Sequence, residues 1–248
     1  MLEDFLKKID QLHGELAPFR PFSAERISLI KDYYRIGSTY ASNALEGNTL
    51  TESETKVVIE DGLTIGGKTV REHLEAVGHA QAYDHIYGLL RTKITASDLL
   101  ELHRLFFQQI DPKTAGRLRT RNVIITGTDY LPPDYHQVPD LIEKHLRRYH
   151  NKRFHEHLLL RAADLHAEFE SIHPFVDGNG RIGRLLLSLY TLKAGYGPVI
   201  FSPVRRGEYI SSLRKANQNN RDGLRKLVLE TVYEELKALK RVVKSIKG

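Results

Sequence analysis

Apolar residues recur at three- and four-residue steps along nearly the whole chain, a period that commits the backbone to helix. Leu2, Phe5, Leu6, Ile9 and Leu12 form a first stripe, broken by Pro18 and Pro21. Ile27, Ile30, Tyr34, Ala41 and Leu45 carry a long helix over about 24–46, with Gly47 placed as its left-handed cap. Thr51-Glu52-Ser53-Glu54 reads as a capping box opening a helix near 52–61. Further helical patterns cover roughly 69–91, 96–110, 137–150, 156–172, 180–195, 206–218 and 221–246. Only 122–131 reads as strand: Val123, Ile124 and Ile125, a turn at Thr126-Gly127-Thr128-Asp129, then Tyr130-Leu131, closed by Pro132 and Pro133. The spacing predicts one mainly α domain with one small β-hairpin.

With 248 residues, 41% hydrophobic and 27% charged, the chain is long enough to bury a real core and is not a disordered tract. It has no cysteine, which excludes a disulfide framework, a thiolate nucleophile and a zinc knuckle, and suits a reducing compartment. Met1-Leu2-Glu3-Asp4 carries acids where a secretory signal would be basic and then apolar. No apolar run approaches the roughly 20 residues that span a bilayer. A cytoplasmic protein without membrane contact is expected. The net charge is +6, yet Lys237, Lys240, Arg241, Lys244 and Lys247 supply five of those charges within 237–248, where there is no acid. That tail reads as a solvated helix end or as a contact for an acidic partner, and nucleic acid is not the expected ligand.

Residues 173–184 carry the chemistry: His173-Pro174-Phe175-Val176-Asp177-Gly178-Asn179-Gly180-Arg181-Ile182-Gly183-Arg184. Gly178 and Gly180 flank a polar residue just before a helix that buries Ile182, Leu185, Leu186, Leu189 and Leu192. The free N–H groups and dipole of that helix end form an anion site, and the glycines admit an oxyanion close to the backbone. Arg181 and Arg184 share one helix face, and two guanidiniums beside such a nest suit a polyphosphate. Asp177 either caps the helix or holds a Mg²⁺ that bridges phosphates. His173 has an ordinary pKa near neutrality and suits a general base. The spacing Gly178-x-Gly180-x-x-Gly183 also matches the dinucleotide fingerprint. That fingerprint needs a preceding strand and a later acid, but 156–172 has helical period and 195–203 has no acid. There is no HExxH, no Gly-Lys-Ser/Thr phosphate loop and no Gly-x-Ser-x-Gly elbow.

The segment resembles the signature of the Fic family of nucleotidyl (AMP) transferases, His-x-Phe-x-Asp/Glu-Gly-Asn-Gly-Arg-x-x-Arg, and every specified position is matched. Ala194-Gly195-Tyr196, Pro198-Val199-Ile200, Tyr209-Ile210 and Leu213 through Asn217 follow at family-like spacing, and 120–133 resembles the family's β-hairpin flap. The resemblance covers about 40–220 and implies an all-α core with that flap. It divides the chain into an N-terminal helical region over 1–95, a Fic core over 96–220 and a C-terminal helix with a basic tail over 221–248.

The resemblance also implies a reaction. His173 would deprotonate a Tyr, Thr or Ser hydroxyl of a target protein, which would attack the α-phosphate of ATP and expel pyrophosphate. Asp177 would position Mg²⁺. Gly178, Asn179 and Gly180 would line the anion hole, and Arg181 and Arg184 would hold the β- and γ-phosphates. Phe175 would be a buried anchor. Thr126, Gly127, Tyr209, Ile210 and Asn217 would border the nucleotide, and the flap would dock the target by strand addition. Ser42-Asn43-Ala44-Leu45-Glu46-Gly47 resembles the family's inhibitory motif, Ser/Thr-x-x-x-Glu-Gly/Asn. Glu46 would then occupy Arg184 and misalign ATP. Alternatives are removal of AMP from a modified target, with Glu46 orienting water, and a non-catalytic nucleotide sensor. The first two helices could support a homodimer.

Other residues carry simpler expectations. His166 is read as packing or hydrogen bonding, not as part of a metal cluster with Glu170 and His173. Glu170 is read as a surface or helix-end residue. His145, His150, His155 and His157 are read as solvated surface, and Tyr33, Tyr34 and Tyr40 as packing, with self-modification a minor option.

Overall fold

The computed structural model describes residues 2–151 and 153–245, so Lys247 of the basic tail lies outside the described residues. The order is α1 (Leu2–Glu15), α2 (Ala24–Leu45), α3 (Glu52–Lys56), α4 (Val70–Gly88), α5 (Ala96–Phe107), α6 (Val138–His150), α7 (Leu158–Ile172), α8 (Asn179–Lys193), α9 (Arg206–Asn217) and α10 (Asp222–Ser245). The starts follow from local chemistry. Ser23 caps α2 by accepting from the Arg26 N–H. Thr51, Thr69 and Thr95 each form a full capping box, so the box expected at Thr51–Glu54 is present. Gly47 has φ of +97°, the left-handed geometry expected where α2 stops.

The helix α8 runs through the middle, against α7 on one side and α4 and α2 on the other. Ile182, Leu185, Leu186, Leu187, Leu189 and Tyr190 are all buried, so this helix is apolar nearly all round. That is what a central helix requires. Leu187 and Tyr190 thus extend the stripe read from the sequence, whereas Leu192 is only partly buried. Around it, α4 packs between α2 and α5, and α10 packs on α7, α9 and α1. Lys237 and Lys240 of the basic tail are paired with Glu234 and Glu15 on this outer layer.

The hairpin expected over 122–131 is absent: among the described residues there is no strand. The chain does turn at Thr126-Gly127, with Gly127 at φ of +80°. Only one turn residue has positive φ, while the favoured tight hairpin turn of type I′ needs two. Ile124 and Leu131 are 79% and 72% exposed, and Val123, Ile125 and Tyr130 are only half-buried, so the two arms have no fully buried apolar face. An isolated pair of strands is marginal without one. Arg119 instead holds the root of this flap. Its Nε donates to the His173 carbonyl at 2.9 Å, another nitrogen donates to the Pro133 carbonyl, and its own N–H donates to the Pro174 carbonyl.

Candidate active site

The ends of α2, α7 and α8, one face of α9 and the flap meet around a single cavity of about 460 Å³. Its lining includes His173, Asp177, Gly178, Asn179, Gly180, Arg181, Arg184, Glu46, Thr126, Tyr209, Ile210 and Asn217. The residues picked from sequence are thus brought together, with two exceptions. Gly127 sits at the flap turn behind Thr126, and Ser42 lies beneath the cavity against Arg184.

His173 ends α7 in the left-handed conformation, at φ of +50°, which is uncommon for a residue with a side chain. Its Nδ1 lies 3.3 Å from the Glu170 carbonyl. A carbonyl only accepts, so Nδ1 carries the proton and Nε2 keeps its lone pair. Burial, helped by Arg119, lowers the pKa of the imidazole and keeps it neutral at pH 7.

The loop after His173 is held from within. Asn179 accepts from the Phe175 N–H at 2.8 Å and donates to the Phe175 carbonyl at 2.9 Å, so its side chain closes the turn while its backbone borders the cavity. Phe175 is fully buried and stacks on His103 at 3.8 Å. His103 accepts the Gly116 N–H at Nδ1 and donates from Nε2 to the Asp177 carbonyl. Burial pushes its pKa down to about 4, so it stays neutral and serves as a clamp. Gly178 opens α8 at φ of +83°, with Phe106 and His103 where a Cβ would go.

Arg181 and Arg184 are both almost fully buried. Arg181 pairs with Glu75 at 2.9 Å and lies over the Phe106 ring. Arg184 donates to Ser42 Oγ at 3.0 Å, to the Ser42 carbonyl at 2.9 Å, to Glu46 Oε1 at 2.9 Å and to the Tyr209 hydroxyl at 3.4 Å. Burial pulls its pKa down, but Tyr209, Glu46 and Glu170 outweigh that and keep it charged. Burial likewise raises Glu46, while Arg184 and Arg181 hold its carboxyl below the ordinary range. A Cβ on Gly180 would collide with Glu46 Oε1. The Glu46 carboxylate therefore lies against the N-terminus of α8, where an oxyanion belongs.

Asp177 accepts the Gly178 N–H at 2.6 Å and contacts Arg181 at 3.3 Å and Arg71 at 2.5 Å. Burial would raise its pKa, but Arg181, the Gly178 N–H and Arg71 together hold it ionised.

Several residues escaped the sequence reading. Glu170 lines the cavity, with Oε1 shut off from solvent and lacking a hydrogen-bond partner. It stands in the last turn of α7, the helix-end place expected for it, but it faces the cavity and not solvent, and burial pushes its pKa up to about 8. The helix-face count sets Glu170 beside His166 and His173, but nothing in the sequence marks its burial. His145 is likewise buried, between Glu168 and the Tyr190 hydroxyl, not solvated. Arg206 and Arg214 line the cavity from α9, and Arg206 donates to the Leu45 carbonyl at the end of α2 at 2.7 Å. His166 is a buried hydrogen-bonding residue, as read, bonded to the Gly183 carbonyl and the Tyr209 hydroxyl.

Comparison with known proteins agrees with this geometry. The Fic/DOC family matches residues 93–191, which include the whole signature. The chain belongs to that family. Protein adenylyltransferase fic-1 of Caenorhabditis briggsae is 34% identical over 220 residues, 86% of this chain and 42% of that protein. Protein adenylyltransferase Fic of Nematostella vectensis is 33% identical over 226 residues, 88% of this chain and 51% of that one. This chain thus spans about half the length of the curated relatives it matches, or less. The solved structure of Fic-1 from C. elegans superposes with a TM-score of 0.87 at 28% identity, over 99% of this chain and 74% of that one. A Fic domain containing signaling protein from Bacteroides thetaiotaomicron shares the fold, with a TM-score of 0.83 at 23% identity over 97% of this chain. No helix among the described residues is long and apolar enough to cross a membrane.

Proposed function

We propose that this cavity transfers AMP from ATP to a Tyr, Thr or Ser hydroxyl of a target protein, and that Glu46 holds the reaction in check. The observation that carries the reading is the meeting, in one cavity, of the free His173 Nε2 edge with the N-terminus of α8 and two buried guanidiniums. The names of the relatives support it.

In this reading His173 Nε2 takes the proton of the target hydroxyl as its oxygen attacks the α-phosphorus of ATP. The bond from that phosphorus to the bridging oxygen breaks, and pyrophosphate leaves. The α8 N–H groups and Arg181 face the charge that develops, and positioning of this kind is most of phosphoryl-type catalysis. Asp177 is an ionised, 43% exposed carboxylate at the loop, and no cluster of three or more metal-ligating side chains occurs among the described residues. One carboxylate fits Mg²⁺, which commonly keeps water and substrate phosphates as its other ligands. Mg²⁺ held there would neutralise charge on the phosphates. The flap would seat the target, since it rims the cavity beside His173 and leaves Ile124 and Leu131 uncovered.

Glu46 would block the γ-phosphate by holding both Arg184 and the space against Gly180. Label from α-labelled ATP tests the reading. It should rise on protein in Glu46→Gly and vanish in Glu46→Gly/His173→Ala. Equal labelling of wild type and Glu46→Gly would remove the check, and labelling that persists in the double variant would remove the base.

A further inference from the structure

The two oxygens of Asp177 are used differently. Oδ1 takes the Gly178 N–H at 2.6 Å and Arg181 Nη2 at 3.3 Å, both from its own loop and helix. Oδ2 takes Arg71 Nη2 at 2.5 Å, from the start of α4, 106 residues away in sequence. Arg71 also donates from Nε to Glu75 Oε1 at 3.1 Å, and the same oxygen accepts Arg181 Nη1 at 2.9 Å. Arg71, Asp177, Arg181 and Glu75 therefore close a ring of alternating charge. Two of its members, Arg181 and Glu75, are buried, while Arg71 and Asp177 are 54% and 43% exposed.

We propose that Arg71 guards the cation-binding oxygen of Asp177, so that a divalent ion must displace its guanidinium to enter. This rests on the reading of Asp177 as the divalent-cation ligand. Oδ1 already orients the carboxylate, which leaves Oδ2 as the oxygen able to coordinate. A guanidinium N–H and a hard cation cannot share that lone-pair direction, so the two compete. The ring shows why the guard is built to move. The Arg181–Glu75 pair is desolvated and fixed, whereas the Arg71–Asp177 pair is half-exposed and worth little by itself. Arg71 can leave Oδ2 and stay tethered through Nε to Glu75, and Asp177 keeps its orientation through Gly178 and Arg181. The chain then carries two separate restraints on one cavity: Glu46 over the arginine of the phosphate end, and Arg71 over the carboxylate of the metal end.

The test is a binding measurement. Mn²⁺ is titrated into the whole chain saturated with a non-hydrolysable ATP analogue, with free Mn²⁺ read by electron paramagnetic resonance. Wild type, Arg71→Gln, Asp177→Asn and the double variant are compared, with circular dichroism to check folding. Arg71→Gln is expected to bind Mn²⁺ about two- to fivefold tighter, the upper part of the range of a half-exposed ion pair, and Asp177→Asn is expected to abolish the gain. Raised salt should narrow the gap by screening the pair. Equal or weaker Mn²⁺ binding in Arg71→Gln, with Asp177→Asn still deficient, would overturn the guard and leave Asp177 as the ligand. Mn²⁺ binding that survives Asp177→Asn would overturn the ligand assignment, and the guard with it.

Discussion

The two walls of the cavity are built in opposite ways. On the α2–α8 side, Arg184 is 4% exposed and anchored to Ser42, Glu46 and Tyr209, and Arg206 ties down the last carbonyl of α2. On the flap side, Ile124 and Leu131 stand in solvent, no ladder joins the arms, and the anchors are few: Arg119 at the root and the Tyr130 hydroxyl beside the turn, which donates to the Ser171 carbonyl. The first wall is complete without a ligand. The second offers apolar side chains and unpaired backbone that a partner could use. In the proposed reaction, the contrast would give the polyphosphate to the preorganised wall and the protein target to the open one.

That division can be broken by substitution. The largest effect is expected at the base. In a Glu46→Gly background, His173→Ala should cut AMP transfer by about 10²–10⁴-fold, measured as initial rate of labelling. Release of the check comes next, because an intramolecular coupling of about 1–3 kcal/mol corresponds to a rise of about 5–150-fold in Glu46→Gly over wild type. At the flap, Ile124→Asp should lower transfer to a protein target about tenfold and leave ATP affinity unchanged, as read by rate and by calorimetry in parallel. Loss of ATP affinity there would erase the distinction between the walls.

The last expectation concerns stability, not activity. Glu170 has its pKa raised by burial from the ordinary 4.5 to about 8. Between those values the unfolded chain releases this proton while the folded chain retains it. Stability is therefore lost progressively as pH rises through that window, and nothing is lost below it. Glu170→Gln, which cannot ionise, should match wild type near pH 4.5 and melt several degrees higher near pH 9, followed by thermal denaturation. A constant difference across that range would show that Glu170 is already ionised in the fold.

The same contrast governs how much could be read from the residues alone. Helical period and caps located the helices because both are local. The Thr51 box, the Gly47 cap and the stripe Ile182–Leu189 depend on neighbours within a few positions. The signature loop was legible for the same reason, since Asn179 closes it on Phe175 and Asp177 takes the Gly178 N–H. Glu170, His145 and Arg71 were not. Their surroundings come from helices far away in sequence, and a charged residue one turn from a surface looks the same in a string whether or not another helix covers it. The flap differs from the expected hairpin because β-branched residues favour strand through cross-strand and burial partners, and here Ile124 and Leu131 have none while Val123 and Ile125 are only half-buried.

The central claim is that one arginine serves either Glu46 or the γ-phosphate. Calorimetric affinities for ATP and ADP, in wild type and in Glu46→Gly, test it most directly. With Glu46 on Arg184 the γ-phosphate has no free guanidinium there, so wild type should bind ATP and ADP nearly alike. Glu46→Gly should favour ATP by about tenfold, the scale of a charge-assisted, buried arginine–phosphate contact. An unchanged ATP-to-ADP ratio in Glu46→Gly would contradict the account.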